Sequence, residues 1–515
     1  MVAIGWSGGF RPVEIRIDRG SGVPVYQQIR AGIRDQILSG RLPGGFRLPP
    51  ERRLADALGV NRSTVLAAYR ELKAEGMLDA HVGRGTTVTI RPETPETPAP
   101  ATPLPWRQLF RAGAAREHDP LLRNVLELTE RRDVISLSAG LPAPELFPLE
   151  TLAAIAGDVL SRNGSEALLH SPTEGLTSFR EALAELTTSR GIRTSAPEVL
   201  VLSGSQQGLD LVARTFLDPG DAVVVEEPSY FGALEAFRSA QARLLGVPCD
   251  AEGMRTDLLA SLLTRHRPKL IYTLPTFQNP SGAVMSLARR QQLLDLSIRH
   301  QVPIVEDDSY SDLRYDGEPA PALAALDPGE HVLYLSSLSK VLFPGLRLGW
   351  LRAPRAVVRQ LALVKQAIDL HSGTLAQRLI ERFLREGHFA RHVATLRSEY
   401  ARRRDALLSS LGAVAPEGFS WERPAGGFYV WLRVPEAISP ARLLSEAARE
   451  RVAYLPGAAC YVSEPPEGRL RLNFTFHTPD RLREGVERLA RALAAAASEP
   501  AQEPPRPGAG TPPIV

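Results

Sequence analysis

The chain has 515 residues, 43% hydrophobic and 23% charged, and a formal net charge of +3. That length allows about two to four domains, and the balance is that of an ordinary globular protein. The small net charge excludes a polycation but leaves room for a local basic patch. Only four of the 61 basic residues are lysines, Lys73, Lys269, Lys340 and Lys365, so each lysine invites its own question. Two cysteines, Cys249 and Cys460, exclude a disulfide scaffold and a Cys-rich zinc site, and read as core thiols of a reducing compartment. No apolar run approaches the ~18 residues of a membrane span. The opening MVAIGWSGGFRP lacks the charged and apolar segments of a secretory signal. The expectation is a cytoplasmic protein with no membrane partner and no metal.

Residues 1–21 read as an N-terminal extension, followed by a module over 22–90. VYQQIRAGIRDQIL (25–38) sets Ile29, Ile33 and Ile37 four residues apart, one face of a helix. After the turn SGRLPGGFRLP, ERRLADAL (51–58) reads as a short second helix. GVN turns the chain, with Asn61 a candidate N-cap, and RSTVLAAYRELKAEG forms a third helix. MLDAHVGRGTTVTI reads as a two-stranded wing with Gly83 and Gly85 at its tip. This order of helix, turn, helix and wing lays the third helix into the major groove. Residues 11–90 hold 13 Lys and Arg against 8 Asp and Glu, a local positive charge that attracts a phosphate backbone.

The stretch LPPERRLADALGVNRSTVLAAYRELKAEGMLDAHVGRGTTV resembles the winged helix-turn-helix of the GntR family. The resemblance implies double-stranded operator DNA as a partner. Its contacts would come from Arg52, from Asn61, Arg62, Ser63 and Thr64 at the start of the third helix, and from the wing around Gly85. Asn61 can equally act only as a cap, and Arg52 only as an ion-pair partner.

RPETPETPAPATPLP (91–105) carries six prolines and almost nothing that could form a core, so 91–120 reads as a Pro-rich linker. The tail 498–515 has a similar composition and is expected to be disordered. Between them, 121–497 alternates two patterns. VLVLSG (199–204), AVVVEEP (222–228), KLIYTLP (269–275), VPIVEDD (302–308) and HVLYLSS (331–337) are strands buried on both faces. SQQGLDLVARTFL and SLARRQQLLDLSIRH are helices between them. The fold class is α/β with a mostly parallel sheet, followed by a smaller α+β lobe that contains YARRRDALLSSL and RLREGVERLARALAAA.

Several segments of this domain carry chemistry. Lys340 follows an apolar strand in LYLSSLSKVLFPGLRLGW, among Ser336, Ser337 and Ser339, with Arg347 seven residues on. Hydroxyls and an arginine suit a phosphate, and a desolvated amine suits a Schiff base. Gly204, Ser205 and Gln206 open a helix directly after a strand, which is an anion site. In VEDDSY, Asp307 ends a strand three residues before Tyr310. A buried carboxylate there can keep a pyridine nitrogen protonated. QNPSG offers the Asn279 amide and EEPSYFG offers the Tyr230 ring.

In this order, these segments are similar to fold-type I, pyridoxal-phosphate-dependent aminotransferases, above all the branch of the aminoadipate and kynurenine enzymes, over about 135–495. The resemblance implies pyridoxal 5'-phosphate as cofactor, bound to Lys340 as an internal aldimine. Asp307 would pair with the ring nitrogen, and the D-x-x-Y spacing favours it over Asp308. Tyr310 and Asn279 would meet the ring hydroxyl, Tyr230 would stack on the ring, and Ser205, Gln206, Ser337 and Arg347 would hold the phosphate. Arg471, in GRLRLNFTF, would clamp an α-carboxylate, and Gly140, in SLSAGLPAPELFP, lies in a segment that closes over substrate. Tyr230 and Tyr310 can also be core aromatics, and Arg471 a structural ion pair. His170 stands where related enzymes often carry a tyrosine that reaches the phosphate across a dimer interface, and it is left out of the site. Lys73 suits a phosphate contact or solvation; Lys269 and Lys365 read as solvated.

A GntR-like module joined through a Pro-rich linker to an aminotransferase-like domain is the layout of the MocR subfamily of regulators. That resemblance implies a head-to-tail homodimer and a transcriptional regulator that senses pyridoxal phosphate or an amino-acid-type effector through an aldimine at Lys340. The alternative is a working aminotransferase with a secondary DNA-binding module. The sequence does not decide whether transamination turns over.

Overall fold

The computed structural model describes residues 2–6, 10–81, 85–89, 104, 106–110, 133–415, 418–435, 438–466 and 468–498. The chain divides into two compact units, Met1–Gln108 and Leu109–Val515. Nearly all of the Pro-rich segment, the wing-tip Gly83, residues 121–132 and the tail beyond Ser498 lie outside the described residues.

In the first unit, β1 (Val2–Trp6) and β2 (Phe10–Ile15) pair antiparallel. Val13 and Ile15 are buried in one cluster with Ile29, Ile33 and Ile37 of helix α1 (Val25–Leu38). The Gln36 side chain accepts from Glu14 N at 3.2 Å and donates to Glu14 O at 2.7 Å. Part of the 1–21 extension therefore completes this core. Helices α2 (Glu51–Leu58) and α3 (Arg62–Ala74) follow. Helix α3 buries Val65, Ala68, Tyr69 and Leu72, the 3- and 4-residue spacing of a single helical face. Asn61 flanks α3, but its side chain makes no cap hydrogen bond. β3 (Leu78–His81) and β4 (Gly85–Val88) form the wing.

The second unit opens on β5 (Ile135–Ser136). Its main sheet contains β6 (Val199–Leu202), β7 (Ala222–Glu227), β8 (Arg243–Asp250), β9 (Gly253–Met254), β10 (Leu270–Thr273), β11 (Ile304–Asp308), β12 (Val332–Ser337) and β13 (Gly349–Arg352). The order is β6-β13-β12-β11-β10-β7-β8-β9. β12, β11, β10, β7 and β8 run parallel to one another, and β9 runs antiparallel to β8. β13 runs antiparallel to both β12 and β6. The five runs read as strands are β6, β7, β10, β11 and β12, buried along almost their whole length because helices cover both faces.

The smaller lobe is an antiparallel sheet of β14 (Ser420–Trp421), β15 (Tyr429–Arg433), β17 (Leu455–Pro456) and β18 (Arg469–Asn473), in the order β14-β15-β18-β17. The helices His388–Val414 and Pro479–Ala497 pack on each other beside it. A parallel bridge between β5 and β16 (Val452–Ala453) ties the start of the unit to this lobe. Cys460 is fully buried and Cys249 half-buried.

One expectation fails. Lys365, read as solvated, is fully buried on the helix Arg355–Asp369. Asp369, one turn on, pairs with it at 2.8 Å, which compensates the burial of the ammonium. Lys269 is exposed as expected.

Candidate functional site

β6, β10, β11 and β12 all end at one edge of the main sheet, where α/β folds bind ligands. A cavity of about 300 Å³ opens there, and the smaller lobe supplies part of its wall. Ser205, Gln206, Tyr230, Asn279, Asp307, Tyr310, Ser337, Lys340, Arg347, Arg471 and Gly140 all line it. Residues spread over more than 300 positions of sequence thus meet at a single site.

One end is built for an anion. Ser205 begins the helix Ser205–Phe216, whose first N–H groups have no intrahelical acceptor. Gly204 precedes it at φ +95°, and a Cβ there would meet Arg347 Nη2 at 2.5 Å. Only glycine lets the guanidinium lie this close. Arg347 itself adopts a left-handed conformation, φ +53°, a strain typical of ligand clamps. Its Nη2 donates to Ser203 O at 3.2 Å. Ser337 Oγ accepts from Ser339 N at 3.1 Å, while Ser339 Oγ is buried without a partner. Gln206 Nε2 donates to Gly232 O at 2.7 Å, and Tyr230 OH donates to Gln206 Oε1 at 3.3 Å.

In the middle lies a buried acid. Asp307 accepts from Tyr272 OH at 3.0 Å and from Ser309 Oγ at 2.8 Å. Burial outweighs these hydrogen bonds and raises its pKa to about 6. Asp308 points elsewhere, accepting from Tyr334 OH at 2.6 Å and Ser311 N at 3.1 Å. Successive strand residues face opposite sides, and this places Asp307, not Asp308, in the cavity.

Lys340 Nζ donates to Gly140 O at 2.7 Å. Burial lowers its pKa; the charges of Tyr429 and Asp307 act against that, and Arg471 and Arg347 reinforce it. A Cβ on Gly140 would lie 2.9 Å from Tyr429 OH and 3.6 Å from Lys340 Nζ, so this backbone approach also needs glycine.

At the far end, Arg471 is buried, with Nη1 on Asn279 Oδ1 and Nη2 on Ser138 O, both at 2.8 Å. Its Nε has no partner. No carboxylate pairs with it among the described residues, so it is not a structural ion pair but a cation held by neutral acceptors. Asn279 keeps its amide nitrogen as a donor.

Tyr429 was not anticipated. Its ring lies 4.0 Å from the Arg471 guanidinium carbon, and its OH accepts from Tyr310 OH at 3.3 Å. Burial alone would raise the Tyr429 phenol, but Arg471 and Lys340 outweigh it and lower its pKa. The GGFYVWL segment that carries Tyr429 has no motif linking it to Lys340. Ser309 and Tyr272, which hold Asp307, were likewise not singled out. His170 does not line the cavity; it is exposed and hydrogen-bonded to His371 at 2.7 Å.

In the first unit, Arg52, Asn61, Arg62 and Ser63 are exposed and Thr64 is half-buried. Arg62 meets Glu51 at 3.5 Å at the surface. Arg52 has no acidic partner among the described residues. Gly85 opens β4, with the Arg47 guanidinium packed against it.

These residues fit pyridoxal phosphate. The cavity combines an anion cradle with an unpartnered Ser339 hydroxyl, a buried carboxylate, a desolvated amine and a second cation with a free N–H.

Comparison with known proteins agrees. Residues 132–489 match the aminotransferase class I and II family, and residues 25–88 match the bacterial regulatory proteins of the gntR family. The chain is 34% identical to the uncharacterized HTH-type transcriptional regulator YisV of Bacillus subtilis, over 92% of this chain and 96% of that one. It is 30% identical to the probable rhizopine catabolism regulatory protein MocR of Rhizobium meliloti, over 93% and 96%. Among solved structures it is similar to the α-aminoadipate aminotransferase LysN of Thermus thermophilus, complexed with N-(5'-phosphopyridoxyl)-L-leucine. That similarity has a TM-score of 0.71 at 38% identity, covering 76% of this chain and 99% of that one. Among the described residues no helix is long and apolar enough to cross a membrane.

Proposed function

This chain belongs to the aminotransferase class I and II family and carries a gntR-family module ahead of that domain, the build of the MocR-type regulators; from that premise we propose a pyridoxal-phosphate-dependent transcriptional regulator. It acts in the cytoplasm as a head-to-tail homodimer on double-stranded operator DNA, and it senses pyridoxal phosphate or an amino-acid-type effector. The observation that carries this reading is the Lys340 amine in a cavity with Asp307, between an anion cradle and the Arg471 guanidinium.

Bound pyridoxal phosphate supplies an electrophilic carbonyl and an electron-withdrawing ring. Lys340 is the amine placed to hold it, and burial favours the neutral, nucleophilic form of that amine. Ser205, Gln206, Ser337 and Arg347 hold the phosphate, Asp307 faces the ring nitrogen, and Asn279 and Tyr310 meet the ring hydroxyl. Tyr230 covers the ring. Arg471 receives the α-carboxylate of an amino-acid effector, in the bidentate geometry that favours Arg over Lys. Gly140, whose carbonyl accepts from Lys340 Nζ, lets its segment close over the effector. Any effector control of operator affinity requires different affinities for two arrangements of the chain. In the first unit, Arg52, Asn61, Arg62, Ser63, Thr64 and the wing at Gly85 make the DNA contacts.

Borohydride treatment of the loaded protein is expected to leave a phosphopyridoxyl label on Lys340, and Lys340→Ala is expected to abolish it. A label retained by that variant would remove the site assignment. A second reading, a working aminotransferase, draws on the 38% identity to LysN. Multi-turnover transamination without specific binding to the DNA upstream of the gene would select it.

A further inference from the structure

Behind the anion cradle lies a charge pair, its lysine fully buried and its aspartate 26% exposed, that the proposed function leaves unused. Lys365 Nζ donates to Asp369 Oδ1 at 2.8 Å, to Asp369 Oδ2 at 2.9 Å and to Gln207 Oε1 at 3.1 Å. Asp369 Oδ2 also accepts from Gln207 Nε2 at 2.6 Å and from Ser203 Oγ at 3.1 Å. Ser203 N donates to Gln207 Oε1 at 2.8 Å, and Ser203 O accepts from Arg347 Nη2 at 3.2 Å. The carboxylate therefore fixes the turn whose next members are Gly204 and Ser205, and it shares a neighbour with the cradle's arginine.

A carboxylate is a poor neighbour for a phosphate. Left alone, Asp369 would hold the turn in shape while repelling the dianion bound there. Burial by itself would raise its pKa, but the hydrogen bonds from Lys365 and Gln207 lower it, so the group stays ionised. The fully buried Lys365 ammonium supplies the cancelling charge. A lysine in this place is otherwise costly, since burial lowers its own pKa.

We infer that Lys365 is a positioning residue of the anion site: paired with Asp369, it lets a carboxylate order the Ser203–Gln207 turn without presenting net negative charge to a bound phosphate. The inference rests on the reading of the cavity as a pyridoxal phosphate site. It assigns the two members of the pair opposite effects, which a general structural role does not.

The test compares binding of pyridoxal 5'-phosphate with binding of pyridoxal, which lacks the phosphate, to the full chain by visible absorbance. Lys365→Met is expected to weaken pyridoxal phosphate about tenfold and to leave pyridoxal within about twofold. Asp369→Asn, which removes the negative charge and keeps the lysine, should bind pyridoxal phosphate within about threefold of wild type, or tighter. Equal losses for both ligands in Lys365→Met overturn the inference, as does unchanged pyridoxal phosphate affinity in that variant, or a matching loss in Asp369→Asn. If melting shows that Lys365→Met does not fold, Ser203→Ala carries the test. It removes one hydroxyl link to Asp369, and a loss of about threefold confined to the phosphorylated ligand is expected; no loss, or an equal one, counts against the inference. Failure of the wild type to bind pyridoxal phosphate is a separate result: it removes the cofactor reading itself.

Discussion

Asp307 shows how a residue chosen for chemistry weakens the fold that holds it. Its pKa rises from 3.8 in the open chain to about 6, mainly through burial. Between those values the folded chain keeps a proton that the unfolded chain releases, so stability falls as pH rises from about 4 to about 6. The full cost, about 3 kcal/mol, is present above that window. Asp307→Asn is therefore expected to raise the melting temperature of the cofactor-free protein at pH 7–8, with the gain closing toward pH 4, while tight pyridoxal phosphate binding is lost. Scans of melting temperature against pH for wild type and variant check this, and a gain of equal size at pH 8 and pH 4 would refute the assignment. The choice of Asp307 over Asp308 was legible from spacing to Tyr310. The partners whose hydrogen bonds favour its charged form, Tyr272 and Ser309, were not, because they come from another strand and from a local turn.

Among the elements, the helices of the first unit follow sequence closely because their apolar spacing repeats over several turns and Pro24 and Pro50 mark two of their starts. The role of Asn61 is different: it stands at the N-cap position of α3 without a cap hydrogen bond. Asn61→Ala is expected to cost under about 0.5 kcal/mol in denaturant unfolding, against about 1 kcal/mol for a working cap. It should weaken specific operator binding about tenfold, as loss of a base contact does. A large stability loss with unchanged DNA binding would return Asn61 to a capping role. In the second unit β8 and β13 were not singled out. β13 is four residues long and contains Gly349, too little for a strand signal of its own, and its strand character comes from pairing with β12 and β6.

For the whole molecule, the basic N-terminal segment and the net-acidic remainder imply that operator affinity is salt-sensitive while cofactor affinity is not. Operator binding measured between about 50 and 200 mM salt is expected to fall on the order of a hundredfold, as for some four neutralised phosphates per complex. Pyridoxal phosphate binding over the same range should change far less, because one small dianion replaces the several DNA phosphates whose neutralisation releases counterions. A flat salt profile for DNA would argue against Arg52 and Arg62 as backbone contacts.

The sequence by itself determined the two-part build, the α/β class and eleven of the residues that line the cavity, since each of those lies in a short segment whose neighbours already state its chemistry. Lys340, among serines and ahead of Arg347, is the clearest case. Only the tertiary structure decided what those segments do to one another: the Tyr429 ring against Arg471, and Lys365 sealed beneath the phosphate turn. Lys365 sits on an amphipathic helix and reads as an ordinary solvated lysine, because burial of a charge depends on what packs over it. In this fold Asp369 stands one turn on along the same helix, but Gln207 and Ser203 arrive from another helix and a strand end to make that burial tolerable, and no local pattern announces those two.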